Sequence, residues 1–149
     1  MVKIFKYLLP EQIAFLNVRT HNEVIDALVA LLEKAGKIPN ARIFKNAINE
    51  REKIVTTGIG MGVAIPHAKL AGYDDFFIAI GILDKGVDWK ALDGAPVRLV
   101  LLIGGPDDKQ TEYLQILSAL TVAIKDEERR KKILSTRSPE EVITLLKDF

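Results

Sequence analysis

At 149 residues, with 48% hydrophobic and 28% charged side chains, the chain has the length of one ordinary domain, residues 1–149, and a globular composition. Lysine and arginine number 21 against 20 aspartates and glutamates, so no bulk charge argues for nucleic acid or a membrane surface, and partner choice falls to local patches. The lack of cysteine excludes disulfides, thiolate metal sites and a cysteine nucleophile; an opening apolar run of only Leu8-Leu9 excludes a signal or spanning segment there, and both fit a cytoplasmic location without membrane insertion.

In chain order, residues 12 to 18 form a short apolar segment that reads as a first strand. Thr20 with Glu23 makes a capping box ahead of Val24, Ile25, Leu28, Val29, Leu31 and Leu32, which predicts a helix to about Ala35 that stops at Gly36. Asn40 caps a second helix in which Ile43, Phe44, Ala47 and Ile48 recur at helical spacing, leaving Arg51 at or just past its end. The apolar runs Phe76 to Leu83 and Val97 to Ile103 predict strands buried on both faces, separated by turn signals at Asp84-Lys85-Gly86 and Leu92-Asp93-Gly94, with Val87-Asp88-Trp89 as an edge piece. Helices are expected over Gln110 to Ile124, over Glu127 to Leu134, and after Ser138, where Pro139 and Glu141 complete a start signal. Strands between blocks of helices imply an α/β layer structure.

The chain is organised around residues 51 to 69. Gly58, Gly60 and Gly62 alternate with Ile59, Met61 and Val63, which predicts a tight turn running into a strand from Val63 to Ile65. Pro66 cannot donate to a ladder, so the strand should stop there and deliver the imidazole of His67 at its end. A dinucleotide fingerprint fails because Val63 stands where its third glycine belongs, and a Walker-type loop fails because no Gly-Lys-Ser or Gly-Lys-Thr follows. From the residues alone, His67 is equally a satisfied histidine under a loop or a nucleophile whose neutral ring offers an unprotonated nitrogen.

The motif T-G-I-G-x-G-x-A-I-P-H, preceded by Arg51-Glu52, resembles the signature of the enzyme IIA proteins of the mannitol, fructose and nitrogen-regulatory type in the bacterial phosphoenolpyruvate-dependent phosphotransferase system. The likeness continues through Leu9 to Ile13, Asp93 to Val97, Tyr113 to Leu117 and Ser138 to Val142, nearly the whole chain. The resemblance implies a three-layer α/β/α fold with a central mixed sheet, and a phosphoryl group carried on His67 as tele-phosphohistidine, without cofactor or metal. It implies as donor the phosphohistidine of the carrier protein HPr or its nitrogen-branch relative. In sugar uptake the acceptor is a IIB domain, which typically uses a phosphocysteine and so lies on another chain; in the nitrogen branch the output is contact with a transporter or kinase. No pattern in the chain specifies an oligomeric state.

The resemblance also assigns Arg51 to the phosphoryl group, which its planar fork can grip as lysine cannot; the alternative is a solvated cation at a helix end. Thr57, Gly58 and Gly60 either offer a hydroxyl and backbone N–H groups to phosphate oxygens or only shape the turn. Where the family commonly has a second active-site histidine, this chain has Tyr113, which can donate a hydrogen bond but cannot become cationic. Glu52 reads as a structural salt-bridge or loop-anchoring residue, His21 as an exposed helix-start histidine without an acidic partner, and Arg129 to Lys132 as the basic end of a helix that begins with acids.

Overall fold

The computed structural model describes residues 2–149. Strands β1 (Ile13–Leu16), β2 (Gly58–Gly60), β3 (Val63–Ala64), β4 (His67–Leu70), β5 (Phe77–Val87) and β6 (Val97–Pro106) form one mixed sheet in the order β1-β5-β6-β3-β2, with β4 also on β6. β5 and β6 are antiparallel, while β1 runs parallel to β5 and both β3 and β4 run parallel to β6. Helices α1 (His21–Lys34) and α2 (Ala41–Ile54) cover one face; α3 (Gln110–Lys125), α4 (Glu127–Ser135) and α5 (Pro139–Leu146) cover the other. The result is the expected three-layer α/β/α arrangement.

The helix starts follow their sequence signals. Thr20 Oγ1 accepts the Glu23 N–H at 3.2 Å and Asn40 Oδ1 accepts that of Ile43 at 3.0 Å. α1 closes with the N–H groups of Gly36 and Lys37 on the carbonyls of Glu33 and Leu32, each at 3.0 Å, which satisfies end groups the helix cannot pair itself. α3 has another kind of closure: Arg129 Nη1 donates to the Ala123 carbonyl and Arg130 Nη1 to that of Ile124, each at 2.8 Å. Two cations of the basic cluster thus cap α3, where the helix dipole favours positive charge.

Both long strands alternate between two apolar layers. Ile78, Ile80 and Ile82 with Leu99, Leu101 and Ile103 pack under α3, whereas Ala79, Leu83, Val100 and Leu102 pack under α1 and α2. Each of the larger buried side chains contributes about 1.5–3 kcal/mol by leaving water, so the register of this hairpin is firmly set.

Three local expectations need correction. Asp84-Lys85-Gly86 is not a turn: β5 carries through it to pair Val87 with Val97, absorbing the irregularity as a register shift after Ile82. Gly58–Gly60 is not the turn but strand β2, paired with β3; the turn is Met61-Gly62, whose φ values of 61° and 73° suit a two-residue hairpin and place glycine where positive φ is free of strain. The edge run likewise does not end at Pro66. It resumes at once as β4, because Pro66 interrupts the ladder only locally, and its own carbonyl accepts the Ile103 N–H at 3.0 Å.

Candidate active site

His67 opens β4, opposite Ile103 of β6, at the edge where Pro66 breaks the ladder. Successive residues of a strand face opposite sides: Ala68 is buried in the layer under α1 and α2, so His67 and Lys69 face the α3 side. A one-residue slip would drive the imidazole into that apolar layer, at a cost of several kcal/mol without a partner.

The ring orientation is fixed from below. Ile65 donates its N–H to the Thr57 carbonyl at 3.0 Å, and the Ile65 carbonyl lies 3.2 Å from His67 Nδ1. A carbonyl only accepts, so the proton resides on Nδ1 and Nε2 keeps its lone pair. Burial pushes the His67 pKa below the ordinary histidine value; the Ile65 carbonyl works against this, and the charges of Arg51 and Lys69 reinforce it. The half-buried imidazole is therefore neutral near pH 7, with a nucleophilic nitrogen.

Two cations and an aromatic ring flank it. Arg51 sits in the last turn of α2, its Nη1 donating to the Val55 carbonyl at 2.9 Å. Its charge acts on both His67 and Tyr113. Tyr113, in the first turn of α3, places its ring centroid 5.6 Å from that of His67. Burial raises its phenol pKa, so Tyr113 is a neutral donor at physiological pH. Lys69 Nζ stands 4.1 Å over the Tyr113 ring and donates to Gln110 Oε1 at 2.7 Å.

The structure thus brings together Arg51, His67 and Tyr113, and places Thr57, Gly58 and Gly60 otherwise. The Thr57 hydroxyl is buried and donates to Glu52 Oε1 at 2.9 Å, and the Gly58 N–H donates to Thr56 Oγ1 at 3.1 Å. Gly58 is needed for close approach, since a Cβ there would meet the Ala91 Cβ at 2.8 Å. Gly60 pairs with Val63, which sits on Leu99, whereas His67 sits on Ile103. Those four residues of β6 separate Gly60 from His67 by about 13 Å.

Glu52 takes the expected salt-bridge and anchoring role, and His21, contrary to expectation, has it as an acidic partner. One oxygen, Glu52 Oε1, accepts from Thr57 Oγ1, from Trp89 Nε1 at 3.0 Å and from His21 Nε2 at 2.7 Å. The His21 ring also packs on Trp89, centroids 4.2 Å apart. Burial lowers the His21 pKa, but the hydrogen bonds to Glu52 and Asn22 and the Glu52 charge outweigh it, so the net shift is upward. This cluster ties both α1 and the loop at Trp89 to the residue next to Arg51, and it walls a cleft of about 680 Å³ that also meets Asn46 and Asn49. Sequence reasoning missed these links because the partners lie 31 and 37 residues from Glu52. It missed Lys69 despite an available signal, its i+2 spacing from His67 on a strand.

Among the described residues no group of three or more His, Cys, Asp or Glu side chains could hold a metal ion, and no helix is long and apolar enough to cross a membrane. The site offers a neutral imidazole nitrogen, two nearby cations and a phenol, an arrangement suited to receiving an anionic electrophile.

Known proteins are similar to this chain in sequence and in fold. The chain is 41% identical over 123 residues, 83% of its length, to the PTS system fructose-specific EIIABC component of Bacillus subtilis, of which it spans 19%. Its structure is similar to the nitrogen regulatory protein IIA-Ntr of Neisseria meningitidis, with a TM-score of 0.89 and 28% identity over 95% of this chain and 97% of that one. It is also similar to enzyme IIA mannitol of Escherichia coli in complex with phosphorylated IIB, with a TM-score of 0.79 and 25% identity over 95% and 98% of the two chains. Residues 6–149 match the family described as phosphoenolpyruvate-dependent sugar phosphotransferase system, EIIA 2, and the chain belongs to that family.

Proposed function

We propose that this chain is a cytoplasmic phosphocarrier, residues 1–149 acting as one IIA domain, that accepts a phosphoryl group on Nε2 of His67 and passes it on. The observation that carries the reading is the 3.2 Å contact of His67 Nδ1 with the Ile65 carbonyl, which leaves Nε2 as the one nucleophilic nitrogen, beside Arg51. In the forward step the Nε2 lone pair attacks phosphorus in line with the N–P bond of a donor phosphohistidine. The new N–P bond forms as the old one breaks, and the donor nitrogen keeps the electron pair. The ring gains positive charge, which the Ile65 carbonyl dipole stabilises through the Nδ1 proton. Arg51 neutralises charge on the equatorial oxygens, which is most of what phosphoryl transfer asks of a protein.

The donor is HPr or its nitrogen-branch relative, as in the family. The acceptor is a IIB domain, a reading supported by the solved complex of the similar mannitol protein with phosphorylated IIB. The TM-score of 0.89 to a nitrogen regulatory protein favours a second reading, in which the phosphorylation state of His67 governs contact with a regulated transporter or kinase.

Incubation with phosphoenolpyruvate, enzyme I and HPr or its nitrogen-branch relative tests the proposal. One acid-labile, base-stable phosphoryl group on His67 is expected; label on another residue, or full labelling of His67→Ala, overturns it. Transfer onward to a IIB domain then separates the transport reading from the regulatory one.

A further inference from the structure

We propose that Lys69 is the second phosphoryl-stabilising cation of the site, held ready by the Tyr113 ring and Gln110 and supplied from the sheet edge, whereas Arg51 comes from α2. The inference rests on the reading of His67 as phosphoryl acceptor and adds a residue to it.

The first support is placement. His67 and Lys69 lie two apart on β4, whose pairing with β6 sets His67 opposite Ile103 and Lys69 opposite Gly105, so both side chains leave the same face of the strand. The second is the state of the ammonium. Lys69 is half-buried yet makes no ion pair with any carboxylate among the described residues. Its attractions are the Tyr113 ring face at 4.1 Å and the Gln110 amide oxygen at 2.7 Å, both neutral. An ammonium has three donors, and Gln110 takes one, so two remain for an anion.

The third support is charge balance. A phosphoryl group brings about two negative charges at neutral pH, and Arg51 answers one of them. The family's second histidine would answer the other only when protonated, and Tyr113 cannot do so at all. The Lys69 side chain is the cation on the same strand face as His67, and its charge pushes the His67 pKa down. Tyr113 thereby acquires a positioning role. Its face steers a flexible cation toward His67, and its own ring centroid is 5.6 Å from the imidazole. Once His67 is phosphorylated, the ammonium exchanges an aromatic face for a phosphoryl oxygen, a much stronger partner.

The test compares the parent, Lys69→Met, Lys69→Gln and Lys69→Arg at matched thermal stability. Each is phosphorylated by HPr and, separately, by phosphoramidate, a small donor that needs no protein contact. Loss of one charge-assisted contact should slow labelling of Lys69→Met and Lys69→Gln by about 10- to 100-fold with either donor, and Lys69→Arg should recover most of the rate. In the unphosphorylated proteins, NMR titration should show the His67 pKa rising when the Lys69 charge is removed and staying low in Lys69→Arg, which a packing role would not produce. Parent-like rates in Lys69→Met and Lys69→Gln with phosphoramidate overturn the inference. A slowed Lys69→Met with HPr alone also overturns it, since that would place Lys69 in the donor interface. Failure of the parent to accept from HPr while phosphoramidate labels His67 refutes the carrier reading instead, and leaves the Lys69 comparison intact.

Discussion

The carbonyl oxygen of Ile65 and Nδ1 of His67 face each other across Pro66 at 3.2 Å. Pro66 makes this contact possible in two ways. It holds Ile65 extended, and it lacks an N–H that would otherwise compete for a place in the ladder. The residue that interrupts the sheet therefore also fixes the tautomer of the histidine that follows it.

The first prediction concerns that tautomer and its pH range. Burial lowers the His67 pKa from the ordinary 6.5, so the unprotonated nucleophile persists to more acidic pH than in a free histidine. NMR titration should place the His67 midpoint below 6.5, and the phosphorylated protein should carry its phosphorus on Nε2. A midpoint above the ordinary value, or an Nδ1-phosphoryl group, would contradict the geometry.

The second prediction is that Arg51→Lys slows phosphoryl transfer while the fold survives. Lysine keeps the charge but cannot hold the Val55 carbonyl and a phosphoryl oxygen with one rigid fork. Losing one transition-state contact should cost about 2–4 kcal/mol in the transfer barrier, by analogy with removal of an oxyanion donor. The stability cost should stay at about 1 kcal/mol, since the lost bond is exposed. Equal transfer rates in parent and variant would return Arg51 to the role of a solvated helix-end cation.

These residues also mark how far the sequence could be read. Helix starts at Thr20, Asn40 and Ser138 were legible because a cap and its N–H partner lie three residues apart, and β5 and β6 were legible because burial on both faces leaves nearly continuous apolar runs. β2 and β4 were not, because each is short and exists only through a neighbouring strand, which for β4 is β6, well over 30 residues on. Asp84-Lys85-Gly86 has turn composition, yet the pairing of Val87 with Val97 holds it in a strand whose side chains there are exposed. His67 stood out by its place after the glycine-rich run and Pro66, and the family resemblance singled out both His67 and Arg51. The Glu52 cluster and the seat of Lys69 did not, because they depend on which layers meet at the sheet edge.

The third prediction uses the opposite signs of the two histidines. The His21 pKa is raised in the fold, so its pair with Glu52 gives its full stability below the unfolded value near 6.5, and this is lost as pH rises through the higher folded value. The His67 pKa is lowered, so its contribution runs the other way: it is present above the unfolded value near 6.5 and is lost as pH falls through the lower folded value. Urea midpoints measured across this range should therefore show His21→Gln losing stability chiefly at acidic pH and His67→Gln gaining it there. Trp89, in contact with His21, is the only tryptophan, so its fluorescence should titrate with His21 in the parent and become flat in His21→Gln. A parent-like pH profile in His21→Gln would mean that the ion pair contributes nothing to folding.

The fourth prediction concerns Tyr113→His, which puts an imidazole where the family commonly has its second histidine. The ring would fit, since it replaces a larger one. Its environment would not favour charge, because Tyr113 is buried, feels Arg51, and has the Lys69 ammonium 4.1 Å above its face. All three effects disfavour an imidazolium, so the new histidine should titrate below the ordinary histidine range. At neutral pH the substitution should then leave the phosphorylation rate of His67 unchanged or slower, because it weakens the platform under Lys69 without adding a cation. Below the new midpoint a third positive charge appears beside the phosphoryl group, and the rate relative to the parent should rise. Combining Tyr113→His with Lys69→Met removes the competing ammonium, so the new midpoint should move up and the gain should appear closer to neutral pH. Phosphoramidate labelling of the parent, the single variant and the double variant from pH 5 to 8 reads all three outcomes. An acceleration at neutral pH in the single variant would show that Lys69 does not occupy the place of the missing charge.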